Sequence, residues 1–249
     1  MKAVFRTDRG RIRSNNEDNG GTFVNRDGHC LAIVADGMGG HRAGEVASGM
    51  TISHLQEVWE LSEGIKTADQ AEIWLKTNIL EVNKLLFEHS IHNKECEGMG
   101  TTIEAVIATN DFTTIAHVGD SRCYILNDAG FQQITEDHTL VNELVRTGQI
   151  SKEDAEHHPR KNVILRALGT EENIKIDIKT IMFEKGDFLL LCSDGLSNKV
   201  TEAEMFQIIK SEDLLEGKAV SLINMANEYG GEDNITLIIL EFTDETERG

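Results

Sequence analysis

Apolar residues run along this chain in short unbroken blocks, of which Leu31 to Ala35, Phe188 to Cys192 and Ile235 to Phe242 are the clearest. Blocks of that length, bounded by glycine and aspartate, predict strands covered on both faces. Thr102 to Ala108 and Thr113 to Val118 are β-rich, and Phe131 to Thr135 continues the sheet after a turn at Asp128-Ala129-Gly130. Helical periodicity appears over Ala43 to Leu61 and Ala68 to Ile91, where Leu75, Ile79, Val82 and Leu86 mark one apolar face. Thr139 to Arg146 reads as a short helix closed by Gly148, and Ser151 with Asp154 as the cap of another. Glu202 to Lys210 and Gly217 to Tyr229 complete the helices. Strands come in sequence-adjacent runs with helix pairs between them, which favours a layered α+β domain over a doubly wound parallel sheet.

Composition narrows this further. At 249 residues and 39% hydrophobic content the chain supports one sizeable core. Its one proline and short glycine stretches mark no linker. Asp and Glu total 43 against 24 Lys and Arg, a formal charge of -19 that repels nucleic acid and anionic lipid and favours bound cations. No stretch is long enough to span a bilayer, and Met1 to Asp8 lacks the apolar core of a signal peptide. The expectation is a cytoplasmic protein without membrane insertion. The scattered Cys30, Cys96, Cys123 and Cys192 then read as reduced thiols.

Four aspartates change the picture from solubility to chemistry. Asp36, Asp120 and Asp194 each stand where an apolar run ends beside glycine, and Asp233 precedes one. Singly, each is an ordinary turn residue. Converging, they would repel one another severely unless cations offset the charge. Oxygen ligands suit Mg²⁺ or Mn²⁺ and argue against zinc or iron–sulfur chemistry. Arg13 stands close to Glu17 and Asp18, either as a fork for phosphate oxygens or as a surface ion pair. Competing phosphatase chemistries fail: His29-Cys30 opens like a cysteine-phosphatase loop, but Asp36 occupies the position that needs arginine. There is no D-x-D, G-x-S-x-G or Walker lysine loop. On chemistry alone the expectation is a two-metal small-phosphate hydrolase or a nuclease, and the acidic charge disfavours the nuclease.

Eight short motifs, in order, resemble those of the PPM (type 2C) metal-dependent protein serine/threonine phosphatases in their compact bacterial form. They are Arg13-x-x-Asn16-Glu17-Asp18, Val34-Ala35-Asp36-Gly37-Met38-Gly39-Gly40-His41, Gly98-Met99-Gly100-Thr101-Thr102 and His117-Val118-Gly119-Asp120-Ser121-Arg122. Thr135-Glu136-Asp137-His138, Arg166-Ala167-Leu168-Gly169-Thr170, Cys192-Ser193-Asp194-Gly195-Leu196 and Gly231-Glu232-Asp233-Asn234-Ile235-Thr236 follow.

The resemblance implies a four-layer α/β/β/α sandwich with two central antiparallel sheets, as one domain over 1–245. A small flap at about 146–165 and a frayed tail at 246–249 complete the expected layout. It implies two tightly bound Mn²⁺ or Mg²⁺ ions and a third, weaker one. Asp36 would bridge the pair, Asp194 and Asp233 completing one site. The Gly37 carbonyl, with Glu17 and Asp18, would serve the other. Asp120, with Asp194, would hold the third ion, and Arg13 the substrate phosphate. Activity would be hydrolysis of phosphoserine and phosphothreonine by metal-activated water, against a cognate serine/threonine kinase among other phosphoproteins, by a monomer. Animal members carry histidine right after the Asp-Gly pair, where this chain has Met38, so the general acid is either His41 or a metal-bound water. A phosphoprotein-binding pseudophosphatase and a two-metal small-phosphate hydrolase are the alternatives.

Overall fold

The computed structural model describes residues 1–40 and 42–243. The expected general acid His41 and the expected tail at 246–249 lie outside the described residues.

Strands β1 (Lys2–Asp8), β2 (Asp18–Val24) and β3 (Cys30–Met38) lead into two long helices, α1 (Ala43–Glu60) and α2 (Ala68–His92). A second strand run follows: β4 (Gly100–Thr101), β5 (Ile103–Ala108), β6 (Thr113–Val118), β7 (Arg122–Asn127) and β8 (Gly130–Gln133). Short helices α3 (Leu140–Arg146) and α4 (Lys152–Glu156) separate these from β9 (Asp177–Ile181) and β10 (Phe188–Cys192). The chain closes with α5 (Asp194–Ser197), α6 (Glu202–Lys210), α7 (Leu215–Glu228) and β11 (Ile235–Glu241).

One sheet orders its strands β1-β11-β10-β7-β8 and the other β2-β3-β5-β6-β9, with β4 beside β3. The pairings within both are antiparallel. The apolar blocks lack alternation because both faces of the central strands are covered. Along β3, Leu31, Ile33 and Ala35 pack against α1 and α2, while Ala32 and Val34 face the other sheet. Along β11, Ile235, Leu237 and Ile239 pack under α6 and α7, and Ile238 and Leu240 point inward. Period-two side-chain direction thus splits one apolar block between two core layers. A third layer, between the sheets, joins them, giving the expected four-layer sandwich.

Helix boundaries follow local chemistry. Thr67, Ser151 and Thr201 cap α2, α4 and α6, each with a capping box, and Gly148 takes φ 72° just after α3. The short β4 and the central β7 are absent from the sequence reading, as are β1, β2 and β9, all three of which lie at sheet edges. Their apolar residues are few: β1 buries only Val4, β2 contains two glycines, and no residue of β9 is fully buried. Asp36 also differs from its expected place at a strand end. β3 continues to Met38, because Gly37 and Met38 pair with Thr101 and Gly100.

Between β8 and β9 the chain leaves the sandwich. The bridge Thr139↔Ile164, flanked by Leu140 N–H to the Val163 carbonyl and Leu165 N–H to the His138 carbonyl, pinches the α3–α4 segment into a lobe.

Trp59 ties the helix layer to its sheet. It is fully buried, donates Nε1–H to the Phe23 carbonyl at 3.1 Å and meets Trp74 edge-on at 4.9 Å. Trp59→Ala should cost about 3–5 kcal/mol, read as a lower urea midpoint with unchanged slope, and a loss below about 1 kcal/mol would contradict this packing.

Candidate metal centre and phosphate site

Antiparallel pairing brings one end of each central strand to a common rim. Asp18 opens β2 and stands in register with Asp36 of β3. Asp120 occupies the turn between β6 and β7, Asp194 opens α5 directly after β10, and Asp233 immediately precedes β11. Both sheets contribute, so residues far apart in the chain meet at one edge.

Their mutual effects show how close they come. Asp36 is pushed well above the usual carboxyl range, first by desolvation and then by Asp18, Asp194, Asp120 and Asp233. Burial, with Asp194 and Asp233 nearby, raises Asp18 to about 7 despite hydrogen bonds from Ser193 and Thr236. Burial and then Asp194 raise Asp120 to about 7. Asp194 rises to about 6, again through burial and then Asp233, although it shares a hydrogen bond with Asp36. Glu17 is raised by burial and lowered by Arg13.

Arg13 reaches this cluster from the loop before β2 and donates Nη2–H to Asp233 Oδ2 at 2.7 Å. That ion pair is partly exposed, so the guanidinium keeps donors free of the protein interior. Gly37 approaches α1 closely: a Cβ on Gly44 would lie 2.8 Å from both the Gly37 carbonyl oxygen and Glu17 Oε2. The missing side chain leaves a cradle where that carbonyl and that carboxylate face the same space.

Several supporting residues carry no charge and escaped the sequence reading as functional. Asn234 accepts Glu17 N–H at 2.8 Å and donates to the Arg9 and Asn15 carbonyls, both at 2.9 Å. One buried amide thereby locks the Arg13–Glu17 loop against the Asp233 turn. Ser193 donates to Asp18 Oδ2 at 2.7 Å and accepts Thr236 N–H. Thr102 accepts Asp36 N–H through Oγ1, and the same oxygen meets Ser121 Oγ at 2.7 Å, linking the Asp36 and Asp120 supports. In the sequence Asn234, Ser193 and Ser121 each adjoin an aspartate, whereas Thr102 does not.

A cleft of about 610 Å³ is lined by Asp120 and Asp194 of the rim, by Asn198, and by Val141, Val145 and Lys161 of the lobe.

The chain is matched over residues 9–219 by the family described as Protein phosphatase 2C. The chain belongs to the protein phosphatase 2C family. It is 53% identical over 249 residues to the serine/threonine phosphatase stp of Listeria monocytogenes serotype 4b, covering 100% of this chain and 98% of that one. The solved structure of serine/threonine phosphatase Stp1 from Staphylococcus aureus superimposes with a TM-score of 0.93 at 38% identity, covering 98% of this chain and 96% of that one. The catalytic domain of serine/threonine protein phosphatase PstP, solved in complex with 2 manganese ions, matches with a TM-score of 0.85 at 33% identity over 98% of each chain.

For a protein phosphatase 2C rim, the donor chemistry here fits hard divalent cations: carboxylates and one glycine carbonyl, with no sulfur. Among the described residues no three acidic, histidine or cysteine side chains are closed into a ready ligand shell. Their oxygens instead meet protein donors: Arg13 on Asp233, Ser193 on Asp18 and Asn198 on Asp194.

The raised acids set a pH dependence for the metal-free chain. A carboxyl whose folded pKa exceeds its unfolded value stabilises the fold fully below the unfolded pKa, and that contribution is lost as pH rises through the folded one. For Asp120 the window runs from its ordinary 3.8 to about 7. In chelator, Asp120→Asn should lose less stability than wild type across that window, by on the order of 2–4 kcal/mol in urea unfolding. Parallel pH profiles would show that Asp120 is not held against its neighbours.

Proposed function

We propose that this chain removes phosphate from phosphoserine and phosphothreonine in proteins, using Mn²⁺ or Mg²⁺ held at the carboxylate rim. The observation that carries the reading is the meeting of Asp18, Asp36, Asp120, Asp194 and Asp233 from two sheets beside Arg13. Protein phosphatase 2C membership and the named serine/threonine phosphatases among its relatives point the same way.

In this reading Asp36 would help to hold both members of a cation pair, with Asp194 and Asp233 at one position and the Gly37 carbonyl, Glu17 and Asp18 at the other. Asp120 and Asp194 would hold a third, weaker ion. Such cations would supply charge to offset the mutual repulsion of these acids, and would supply Lewis acidity for activating water and neutralising phosphate. Arg13 binds phosphate oxygens with the donors not spent on Asp233, which fixes its orientation. Ser193 holds the Asp18 carboxylate, while Asn234 and Thr102 hold the backbone at Glu17 and Asp36. The leaving alkoxide would take its proton from His41 or from water.

The single domain spans 1–245, and its flap, at about 146–165, walls the cleft that receives the phosphoprotein. The enzyme works as a monomer in the cytoplasm and opposes a cognate serine/threonine kinase. Among the described residues no helix is long and apolar enough to cross a membrane.

Mn²⁺-dependent phosphate release from a phosphothreonine peptide, compared with a nucleotide and with DNA, tests the substrate class. The peptide should be the preferred substrate, and a preferred nucleotide would point instead to a small-phosphate hydrolase. Asp36→Asn and Asp233→Asn should each lower kcat at least about a hundredfold, because cation charge stabilisation is worth several kcal/mol. Retained turnover in either folded variant would remove that residue from the rim chemistry.

Arg13→Ala should raise KM about ten- to a hundredfold with a smaller fall in kcat, as a charged hydrogen bond made before and during reaction is removed. An unchanged KM would return Arg13 to a plain ion pair with Asp233.

A further inference from the structure

Beside the rim lies a buried polar network that none of the steps above uses. Glu104 and His117 are cross-strand neighbours on β5 and β6, and both side chains are almost fully buried between the sheets. His117 Nδ1 is 2.9 Å from Glu104 Oε2, and its Nε2 is 3.0 Å from the Glu136 carbonyl. The His117 ring packs on His138, with centroids 4.6 Å apart. His138 in turn places Nε2 3.1 Å from Asp177 Oδ2, a carboxylate on which Arg166 and Lys175 also converge.

The other side of His138 faces Gly119. The Gly119 N–H points at His138 Nδ1 at 3.1 Å, and the His138 N–H donates to the Gly119 carbonyl at 2.7 Å. Both polar groups of Gly119 are therefore met by one residue. Gly119 needs such a partner. At φ 117° it turns the chain out of β6, and a Cβ there would lie 2.5 Å from the Thr102 side chain. The next residue is Asp120, only 8% exposed and repelled by Asp194 and Asp137.

The Gly119 amide N–H directed at Nδ1 asks for a lone pair there, which selects the tautomer with its hydrogen on Nε2. Nε2 lies 3.1 Å from both Asp177 Oδ2, which accepts that hydrogen, and Arg166 Nη1, whose other contact is Asp177 Oδ1. Burial, followed by the neighbouring His117, lowers His138 to about 4, which keeps that ring neutral. His138 also accepts Leu165 N–H on its carbonyl, and the adjacent Thr139 caps α3. The same residue thus anchors the base of the lobe.

We propose that His138 is a positioning residue for Asp120: its Nδ1 lone pair, oriented by Asp177, holds the Gly119 peptide and so aims the Asp120 carboxylate into the cleft. This rests on reading Asp120 as the holder of the third cation. A histidine that merely fills the core would tolerate or resist substitution according to size. A positioning histidine depends on which ring nitrogen is imitated. Asparagine places an acceptor where Nδ1 stands, whereas glutamine reaches toward Asp177 and leaves Gly119 without a partner.

The test compares His138→Asn with His138→Gln, each in chelator and with Mn²⁺. In chelator, amide exchange over Gly119 and Asp120 should stay slow in His138→Asn and accelerate at least about tenfold in His138→Gln, as expected when one hydrogen bond is lost. With Mn²⁺, His138→Gln should lose at least about tenfold in kcat on a phosphothreonine peptide at unchanged KM, whereas His138→Asn stays within about threefold of wild type. Calorimetry should show the weak Mn²⁺ phase lost in His138→Gln and the tight phase kept. Equal behaviour of the two variants, in exchange and in kcat, would overturn the proposal. Asp120→Ala separates the underlying reading: if it keeps wild-type kcat and the weak phase, the third-site assignment fails, while the exchange contrast still decides whether His138 holds the turn. Nitrogen NMR of the unmodified, chelated protein guards against misfolded variants. An Nε2–H tautomer at His138 supports the proposal, and an Nδ1–H tautomer refutes it.

Discussion

Repulsion among carboxylates is the constraint on which this structure turns. Asp18 and Asp36 stand opposite one another on neighbouring strands, an arrangement that disfavours a sheet when both are charged. Asp120, Asp194 and Asp233 add to the same field, and burial raises its cost further. The opposing term is ordinary hydrophobic burial. Each fully buried leucine or isoleucine contributes about 1.5–3 kcal/mol, so a few of the many in three core layers offset one raised acid. The sandwich tolerates a strained rim because its layers are covered on both faces, and the acids are confined to one end.

Confinement needs direction as well as energy. Neutral side chains supply it: Asn234 joins two loops from opposite ends of the chain, Ser193 ties α5 to β2, and Thr102 bridges Asp36 to the Asp120 turn. Hydrogen bonds of this kind contribute only about 0.5–1.5 kcal/mol each to stability. Their larger effect is to fix where charged oxygens point, which matters more to a metal-dependent site than to the fold.

The lobe and the rim are mechanically joined. Arg122, two residues after Asp120, holds Asp137 through Nε and Nη2, and Asp137 precedes the His138–Thr139 step into α3. The cleft wall and the Asp120 turn therefore share a support, and movement of one loads the other.

The sequence by itself determined the central strands other than β7, the long helices and the aspartates that stand at the rim. Blocks such as Leu31 to Ala35 and caps such as Ser151 with Asp154 are local signals whose meaning does not depend on distant neighbours. Aspartates beside glycine at the ends of such blocks could be noticed for the same reason. Only the tertiary structure decided the edge strands β1, β2 and β9, whose residues are stabilised by partners elsewhere in the chain, as Lys2–Asp8 is by Ile235–Glu241. It also extended β3 past Asp36, through pairing with β4. Above all it decided the uncharged supports. Asn234, Thr102 and His138 act through backbone groups as many as 225 residues away, and a hydrogen bond over that separation leaves no periodicity or composition for a sequence to display.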